Sequence, residues 1–469
     1  MSTSNLLDSI NKLFTFIQKQ KFKIVLITPV ILMLGHLEKR PLNHEGGQSH
    51  IRNLADKVDW WGSILPILTP YKSFKAESFL ISVVTLIIFL IGSILVLKNS
   101  NLIGFKLFIF LILVFIGFNF VIANSRDSFA LSFSMLNFGL ILFYRRFKLR
   151  SVLILIIVCL SIMVSFKYLT SIAIVIFLIS ILFNVNQEKL TKKIILVFSL
   201  SILITISGIV LDKGLGRIVN LKESFPEQMP IYQDLASFYC WSDDPTTRLK
   251  ALNALKPVLV TKTPSDICLT LRPNSWGYLI DGGNFLEQGV KAPLVKISKA
   301  NSDDLGWVRS GWVKTIIADP VDYIQFKLIS ATQILTVGNP FKYPLMITDR
   351  YYEDPFSESI IYELPELLSK ASLSIWKVQH KILSVIGSAY IFSIPLMFLI
   401  LFLYQMKFKK LKLIDNSILF IYICNIINVI LLSIGFVSDE ARYVFPIIFL
   451  TYMFVLFQEK STLAQSANN

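Results

Sequence analysis

Charged side chains stand directly before the last apolar run of this 469-residue sequence. Residues 438–446 read Ser-Asp-Glu-Ala-Arg-Tyr-Val-Phe-Pro, so Asp439, Glu440 and Arg442 precede Tyr443. Ionisable groups are costly inside a membrane and usually serve a function there. We therefore expect these four residues to bind a charged part of a substrate. The alternative is an ordinary helix start at the membrane interface, anchored by Tyr443.

A second charged group lies between two earlier apolar runs, where Arg126 and Asp127 share a short link. A guanidinium group matches phosphate oxygens in a bidentate manner, which makes Arg126 a candidate phosphate ligand. Lys167 and Tyr168 lie in the next link but one and are candidates for the same site. The alternatives are that Asp127 caps a helix beginning at Ser128 and that Lys167 only extends to the membrane surface.

Acids that could act as a base lie in residues 36–77, after the first apolar run. A carboxylate held at a membrane surface can deprotonate an acceptor hydroxyl. Glu38 directly follows the run, and Asp59, with Asp56 nearby, precedes Trp60 and Trp61. We take Glu38, Asp59 and Asp56 as the catalytic candidates, while the commoner explanation for such acids is a solvated loop.

Metal and nucleotide sites have weaker support. The four histidines lack the spacing of a helical zinc site, and a loop site at His44 and His50 has little in its favour. The sequence has neither a phosphate-binding Gly-x-x-x-x-Gly-Lys loop nor a dinucleotide-binding glycine fingerprint. We assign no metal ligand and no certain cofactor, and a divalent metal stays open.

Apolar helices must position these residues. Hydrophobic residues make up 54% of the chain and mean hydropathy is +0.62, which excludes a soluble fold. The pattern predicts an all-α polytopic membrane bundle of about ten spans. The predicted spans are 22–37, 78–97, 103–123, 128–144, 152–166, 170–185, 194–211, 382–403, 414–436 and 443–457. An amphipathic helix at 6–17 is predicted to lie on the membrane surface.

The basic residues set the expected orientation. The excess of 46 Lys+Arg over 31 Asp+Glu lies mostly in short links such as 145–150, 189–193 and 407–412, which predicts that these links are cytoplasmic and argues against nucleic-acid binding. Both termini then lie inside and the long polar segment outside. The high Ile, Phe and Lys content is typical of an AT-rich bacterial genome, so we expect the bacterial inner (cytoplasmic) membrane.

Three units follow from this topology. Residues 1–211 form an N-terminal membrane module of about seven spans, with the first outer loop at 36–77, and 382–469 form a C-terminal module of about three spans. Residues 212–381 form an extracytoplasmic domain between spans seven and eight. Its predicted helices are 232–238, 249–255, 305–317, 321–335 and an amphipathic stretch at 360–376, with strands left open at 258–260 and 294–297. A disulfide between Cys240 and Cys268 is open if this domain faces an oxidising compartment.

Several short motifs resemble bacterial membrane glycosyltransferases of the GT-C superfamily. The sequence Arg442-Tyr443-x-x-Pro446 resembles the Arg-Tyr-x-x-Pro ending common in that superfamily. Residues 126–131 (Arg-Asp-Ser-Phe-Ala-Leu), 231–236 (Ile-Tyr-Gln-Asp-Leu-Ala), 311–314 and 319–324 are similar to a largely uncharacterised bacterial branch. These stretches occur in the expected order along the chain.

The resemblance implies a GT-C-like fold and transfer of a sugar from a polyprenyl-phosphate donor. The acceptor is a glycan or glycolipid at the outer face of the membrane, and the implied partners are the lipid-linked sugar, the acceptor and membrane lipid, with no nucleic acid. In that superfamily a carboxylate early in the first outer loop deprotonates the acceptor, and basic residues hold the lipid phosphate. This chain departs from the pattern in that Glu38 is followed by Lys39 and Arg40, not by a second acid.

Three other functions stay open. An O-antigen or exopolysaccharide polymerase also handles lipid-linked glycans and has an arginine-started helix like the one after Arg126. A non-catalytic flippase or transporter usually has ionisable groups near the membrane midplane, and the central spans have few. A scaffold whose outer domain binds a protein would tolerate changes of Glu38, Asp59 and Arg442.

Overall fold

The computed structural model describes residues 3–35, 74–123, 125–183, 190–218, 220–221, 228–271, 279, 293–295, 300–336, 366–388, 391–409, 416–435 and 443–457. Almost all of these residues are helical. Strands were possible at 258–260 and 294–297. The described residues of these two segments form one antiparallel β-bridge, between Leu259 and Leu294. The N–H of Val260 also donates to the carbonyl of Pro293, at 2.7 Å.

The helices are α1 (Thr3–Gly35), α2 (Phe74–Asn99), α3 (Gly104–Ala123), α4 (Ser125–Phe147), α5 (Arg150–Phe166), α6 (Tyr168–Phe183), α7 (Leu190–Ile218), α8 (Gln228–Trp241), α9 (Pro245–Leu255), α10 (Ser265–Thr270), α11 (Ser302–Ala318), α12 (Pro320–Thr336), α13 (Glu366–Ser388), α14 (Ile394–Lys409), α15 (Asn416–Gly435) and α16 (Phe445–Phe457). A 3-10 turn, Lys256–Val258, follows α9.

Several of these helices fit a membrane protein. Within the described ranges, 4 segments are long and apolar enough to cross a membrane: Leu80–Asn99, Gly104–Ile122, Asp127–Phe147 and Lys192–Ile218. Shorter apolar helices lie at Arg150–Phe166, Thr170–Phe183, Ile394–Leu403, Ile421–Ile434 and Phe445–Phe457. Their buried side chains form one apolar core, which we call the bundle core.

Two glycines bring α2 and α4 close together. A Cβ atom added at Gly92 would lie 2.6 Å from the backbone nitrogen of Leu136 in α4. A Cβ added at Gly139 would lie 2.8 Å from the carbonyl oxygen of Gly92. Small residues allow this backbone approach between membrane helices, and the start of α4 carries part of the candidate site.

A second apolar core is formed by the part of the chain that lies between α7 and α13 in sequence. Most of its buried residues belong to α8, α9 and α11. Tyr232, Leu235 and Phe238 of α8 are buried in it with Leu305 and Val308 of α11. We call it the domain core. The domain helices predicted at 232–238, 249–255, 305–317 and 321–335 are all present, as α8, α9, α11 and α12. A disulfide between Cys240 and Cys268 joins α8 to α10, with a Cα–Cα distance of 5.4 Å.

Two predicted elements have different bounds in the structure. The surface helix at 6–17 and the described part of the span at 22–37 form one continuous helix, α1, which contains Pro29. The predicted span 382–403 is divided, because α13 runs to Ser388 and α14 begins at Ile394. Pro395 lies in the first turn of α14, where its missing N–H costs nothing. The Ser393 hydroxyl accepts from the N–H of Leu396 at 3.4 Å and caps this start.

Helix α13 packs against α1. The Gln379 amide donates to the carbonyl of Leu32 at 3.3 Å, and the Ser372 hydroxyl donates to the carbonyl of Gly35 at 3.4 Å. Both acceptors lie in the last turn of α1, whose carbonyls have no partner within the helix. The described part of the amphipathic stretch predicted at 360–376 is therefore the first half of a longer helix, α13. Side chains of α13 bind the carbonyl groups at the end of α1.

Candidate functional site

The two ends of the bundle carry different charged groups. At one end, Arg145 donates to the carbonyl of Ile181, and Arg146 donates to the carbonyl of Lys98 at 3.3 Å. We call this the basic end. Helices α4 and α6 begin, and α5 and α7 end, at the opposite end, which we call the domain end because the polar domain follows α7.

The domain end contains a buried ion pair. Asp127 lies in the first turn of α4, and Lys167 is the single residue between α5 and α6. The Lys167 ammonium group forms a salt bridge with the Asp127 carboxylate, and both side chains are buried. The same ammonium group lies over the ring of Tyr443, 3.8 Å from its centre. This contact ties the start of α16 to α4 and to the α5–α6 link.

Aromatic stacking holds the backbone around this pair. Phe129 of α4 stacks on Phe166, the last residue of α5, with ring centres 4.0 Å apart. Phe445, the first residue of α16, stacks on Phe120 of α3 at 4.3 Å. Such pairs add to the free energy gained by burial. The residues on either side of the ion pair are therefore fixed by packing as well as by charge.

A second buried acid lies beside this cluster. The Tyr168 hydroxyl, at the start of α6, donates to the carboxylate of Asp212 in α7, and Asp212 is almost fully buried. Tyr168 directly follows Lys167, so the two contacts share one stretch of backbone. Lys167 and Tyr168 were predicted from the sequence to belong to one site, whereas Asp212 was not. The available signal was an acid six residues before the end of an apolar helix.

The predicted site residues divide into two groups. Asp127, Lys167, Tyr168 and Tyr443 are described, and the structure brings Asp127, Lys167 and Tyr443 into contact. Arg126 lies in α4, which begins at Ser125 rather than Ser128, and its side chain lies outside the described residues. Lys167 does not extend to the surface, because it is bound to Asp127. The remaining predicted site residues also lie outside the described residues: Glu38, Asp56, Asp59, Asp439, Glu440 and Arg442.

A second polar cluster joins the domain to the bundle. The Lys327 ammonium group of α12 lies 2.6 Å from the Asp234 carboxylate of α8. Lys327 also donates to the carbonyl of Ile434, in the last turn of α15, at 3.3 Å. The Trp312 indole donates to the other Asp234 oxygen at 3.1 Å. Asp234 and Trp312 belong to two of the motifs noted in the sequence, whereas Lys327 was missed because it lies outside them.

Burial controls the ionisation of this cluster. It raises the pKa of the Asp234 carboxyl, while the charge and hydrogen bond of Lys327 and the hydrogen bond of Trp312 lower it. Burial also raises the pKa of Tyr323, whose ring lies 5.3 Å from the Lys327 nitrogen, and the Asp234 charge raises that pKa further. A small cavity beside the pair is lined by Gln233, Ser237, Trp241, Phe326 and Ser330. The arrangement suits a fixed contact between the two units.

Other acids of the domain hold helix ends. Asp244 caps α9 by accepting from the N–H groups of Thr246 and Thr247, each at 3.0 Å. Hydrogen bonds from the Thr246 and Thr247 side chains and backbone lower the pKa of Asp244. Asp319 accepts from the N–H of Asp322 at 3.1 Å at the start of α12. These contacts are structural.

The described residues include no group of three or more His, Cys, Asp or Glu that could hold a metal ion. His44 and His50 lie outside the described residues. Comparison with known proteins finds no matching family model, no matching curated protein and no matching solved structure.

Proposed function

We propose that this protein is a membrane glycosyltransferase of the GT-C type, which moves a sugar from a polyprenyl-phosphate donor to a glycan or glycolipid acceptor. The observation that carries the proposal is the buried contact of Asp127, Lys167 and Tyr443 at the domain end. A buried ion pair is expensive at membrane depth, and such groups default to a functional role.

The buried contact acts by positioning two arginines. Asp127 directly follows Arg126, and Tyr443 directly follows Arg442. Fixing Asp127 and Tyr443 on one lysine therefore fixes the backbone beside both guanidinium groups. Arginine is suited to phosphate oxygens, so Arg126 and Arg442 are the proposed ligands of the lipid phosphate. Asp127, Lys167 and Tyr443 are positioning residues, and Tyr168 with Asp212 extends the same support.

The proposed reaction is a direct displacement at the anomeric carbon. The acceptor hydroxyl forms the new bond to that carbon, and the bond from it to the phosphate oxygen breaks. The electron pair leaves with the polyprenyl phosphate, whose charge the two arginines stabilise. A carboxylate of the first outer loop, Glu38, Asp59 or Asp56, takes the hydroxyl proton. Asp439 and Glu440 complete the polar segment before Arg442.

The proposal includes the finer topology: about ten spans in the bacterial inner membrane, both termini cytoplasmic and the polar domain outside. Arg145 and Arg146 at the basic end support a cytoplasmic position for that end. The Cys240–Cys268 disulfide supports an oxidising compartment for the domain. Together these features favour chemistry at the domain end, on the outer face.

Transport is less favoured by the location of the buried charges. Among the described residues the buried Asp, Glu, Lys and Arg side chains are Asp127, Lys167, Asp212 and Asp234. The first two lie at helix ends, Asp212 lies in the last two turns of α7 and Asp234 lies in the domain. Transporters place such groups near the middle of the membrane. Groups gathered at one end fit a reaction at the membrane surface better.

A transfer assay tests this function. Purified protein in bacterial lipid is given a panel of radiolabelled polyprenyl-phosphate sugars and a glycolipid extract, and the variants are Glu38→Gln, Asp56→Asn and Asp59→Asn. Glu366→Gln is the control, because Glu366 is an exposed acid paired with Lys370 at 2.5 Å on α13. We expect transfer by wild type and control, and its loss in one loop variant. No transfer from any donor, with all variants folded, would contradict the proposal.

A further inference from the structure

One face of α12 is exposed, apolar and free of charge. Val321, Ile324 and Leu328 recur at helical spacing and are 62%, 57% and 60% exposed. The structure describes every side chain of α12 from Pro320 to Leu335. Its other exposed residues are also uncharged: Pro320, Gln325, Ile329 and Thr332. A helix of a water-facing domain normally places charged groups on its outer side.

The opposite face of α12 is shared by both apolar cores. Tyr323 and Phe326, in its first half, pack against the domain core. Ile334, near its end, is buried in the bundle core, and Leu335 packs against that core. Lys327, between them, contacts the carbonyl of Ile434 in the last turn of α15. Helix α12 therefore runs from the domain into the bundle and passes the end of an apolar helix.

Two other helices of this chain show which residues are exposed on a domain helix and which on an apolar helix of the bundle. Helix α9 lies wholly in the domain and exposes Arg248 and Lys250 beside Leu249. Helix α7, an apolar helix long enough to cross a membrane, exposes Ile202, Leu203 and Ile206. The exposed face of α12 has the composition of α7 and not of α9. Where Lys327 contacts Ile434, α12 lies beside the end of the apolar helix Ile421–Ile434.

We propose that α12 is embedded in the membrane leaflet at the domain end, with the face formed by Val321, Ile324 and Leu328 covered by phospholipid acyl chains. Burial of this face in lipid removes apolar surface from water and holds the domain against the membrane. The inference goes beyond the proposed function and holds for any activity of the chain, since it depends only on the bundle lying in a membrane.

Fluorescence quenching in lipid tests this assignment. A cysteine introduced as Leu328→Cys is labelled with an environment-sensitive fluorophore, and the protein is placed in phosphatidylglycerol–phosphatidylethanolamine vesicles. The quenchers are a nitroxide attached to the lipid acyl chain and iodide in water. Leu249→Cys and Leu203→Cys are matched controls, because these leucines are each 58% exposed, in the domain and in α7 respectively. Labelling of the native cysteines should be low, because Cys159 and Cys424 are buried and Cys240 and Cys268 form a disulfide.

We expect the label at position 328 to be quenched by the lipid nitroxide, as at 203, and to be protected from iodide relative to 249. Iodide quenching equal to that at 249, without lipid quenching, would overturn the proposal. Protection from both quenchers would also overturn it, because a protein partner or second copy would then cover the face. Ile324→Cys on the same face replaces Leu328→Cys if that variant does not fold.

Discussion

The Lys167 ammonium group lies 3.8 Å from the centre of the Tyr443 ring while it is bound to Asp127. One cation therefore joins the start of α4, the α5–α6 link and the start of α16. A cation held over an aromatic ring gains more when it is shielded from water, and all three side chains are buried. The candidate site thus depends on a contact between segments that are remote in sequence.

Loss of the lysine should destabilise the fold. Lys167→Met removes the ammonium group of the salt bridge from the buried Asp127 carboxylate, and we expect a loss of about 3 kcal/mol in the free energy of unfolding. The double variant Asp127→Asn, Lys167→Met removes that carboxylate as well and should recover part of this loss. Unfolding in detergent by denaturant or heat measures both. Equal losses in the single and double variants would show that Asp127 does not depend on Lys167.

Truncation of the aromatic partner should have a smaller effect. Tyr443→Leu keeps the ion pair and removes the ring, so we expect a loss of roughly 1–2 kcal/mol. Tyr144→Leu, at the basic end, is the matched control, because Lys148 lies over that ring at 5.5 Å and is exposed. Unfolding measurements on both variants provide the comparison. If Tyr443→Leu loses no more unfolding free energy than Tyr144→Leu, a buried cation–ring contact is contradicted.

The disulfide predicts a definite pattern of thiol labelling. Only Cys159 and Cys424 are free, and both are buried. We therefore expect no addition of a large maleimide to the folded protein, addition at these two cysteines after denaturation, and addition at all four cysteines after denaturation with reductant. Gel mobility or mass measures the additions. Labelling of Cys240 and Cys268 in the denatured, non-reduced protein would contradict the pairing.

The Asp234–Lys327 pair predicts a pH-dependent stability difference. Burial raises the pKa of Asp234, and Lys327 is the main group that lowers it. Lys327→Met should raise that pKa further. A carboxyl whose pKa is higher in the folded state favours folding at low pH and loses that contribution as pH rises through the folded pKa. The deficit of Lys327→Met relative to wild type should therefore grow between about pH 4 and pH 8.

The measurement for this pair is the melting temperature of wild type, Lys327→Met and the double variant Asp234→Asn, Lys327→Met over that pH range. The double variant has no carboxylate to titrate at this position, so its difference from wild type should lack the same increase. A deficit for Lys327→Met that is independent of pH would show that Asp234 is not the titrating group.

Close packing of α2 and α4 can be tested with two glycines. Gly92→Val would drive a side chain into the backbone of α4, and we expect a loss of about 3 kcal/mol or more. Gly214→Ala is the control, because a Cβ there meets nothing within 4 Å. Alanine should be neutral or stabilise helix α7 by up to about 1 kcal/mol. Similar losses in both variants would contradict the tight contact.

The sequence predicted the helical membrane class because long apolar runs have few alternatives. It did not predict that 6–17 and the described part of 22–37 join in one helix, because an amphipathic surface helix and a membrane span have different apolar patterns. The break between α13 and α14 was signalled by Ser393 and Pro395, but the apolar composition on both sides hid it. Composition therefore identifies membrane helices better than it locates their ends.

The candidate site was predicted in part. Asp127, Lys167, Tyr168 and Tyr443 were selected because charged and aromatic residues at helix ends are informative in a membrane protein. The pairing of Lys167 with Asp127 and Tyr443 required the packing of α4, α6 and α16. Asp212 was treated as the start of the polar domain, and Lys327 had no local motif. Contacts between distant segments carry no local signal.

The most direct test of the central claim is the rate of label transfer from a polyprenyl-phosphate sugar as the donor concentration is varied. Arg442→Gln and Arg126→Gln are compared with Arg146→Gln, an arginine at the basic end that donates to the carbonyl of Lys98. We predict transfer by wild type and Arg146→Gln, and a roughly 100-fold loss in Arg442→Gln. Absence of transfer by wild type, or equal rates in Arg442→Gln and Arg146→Gln, would contradict the account.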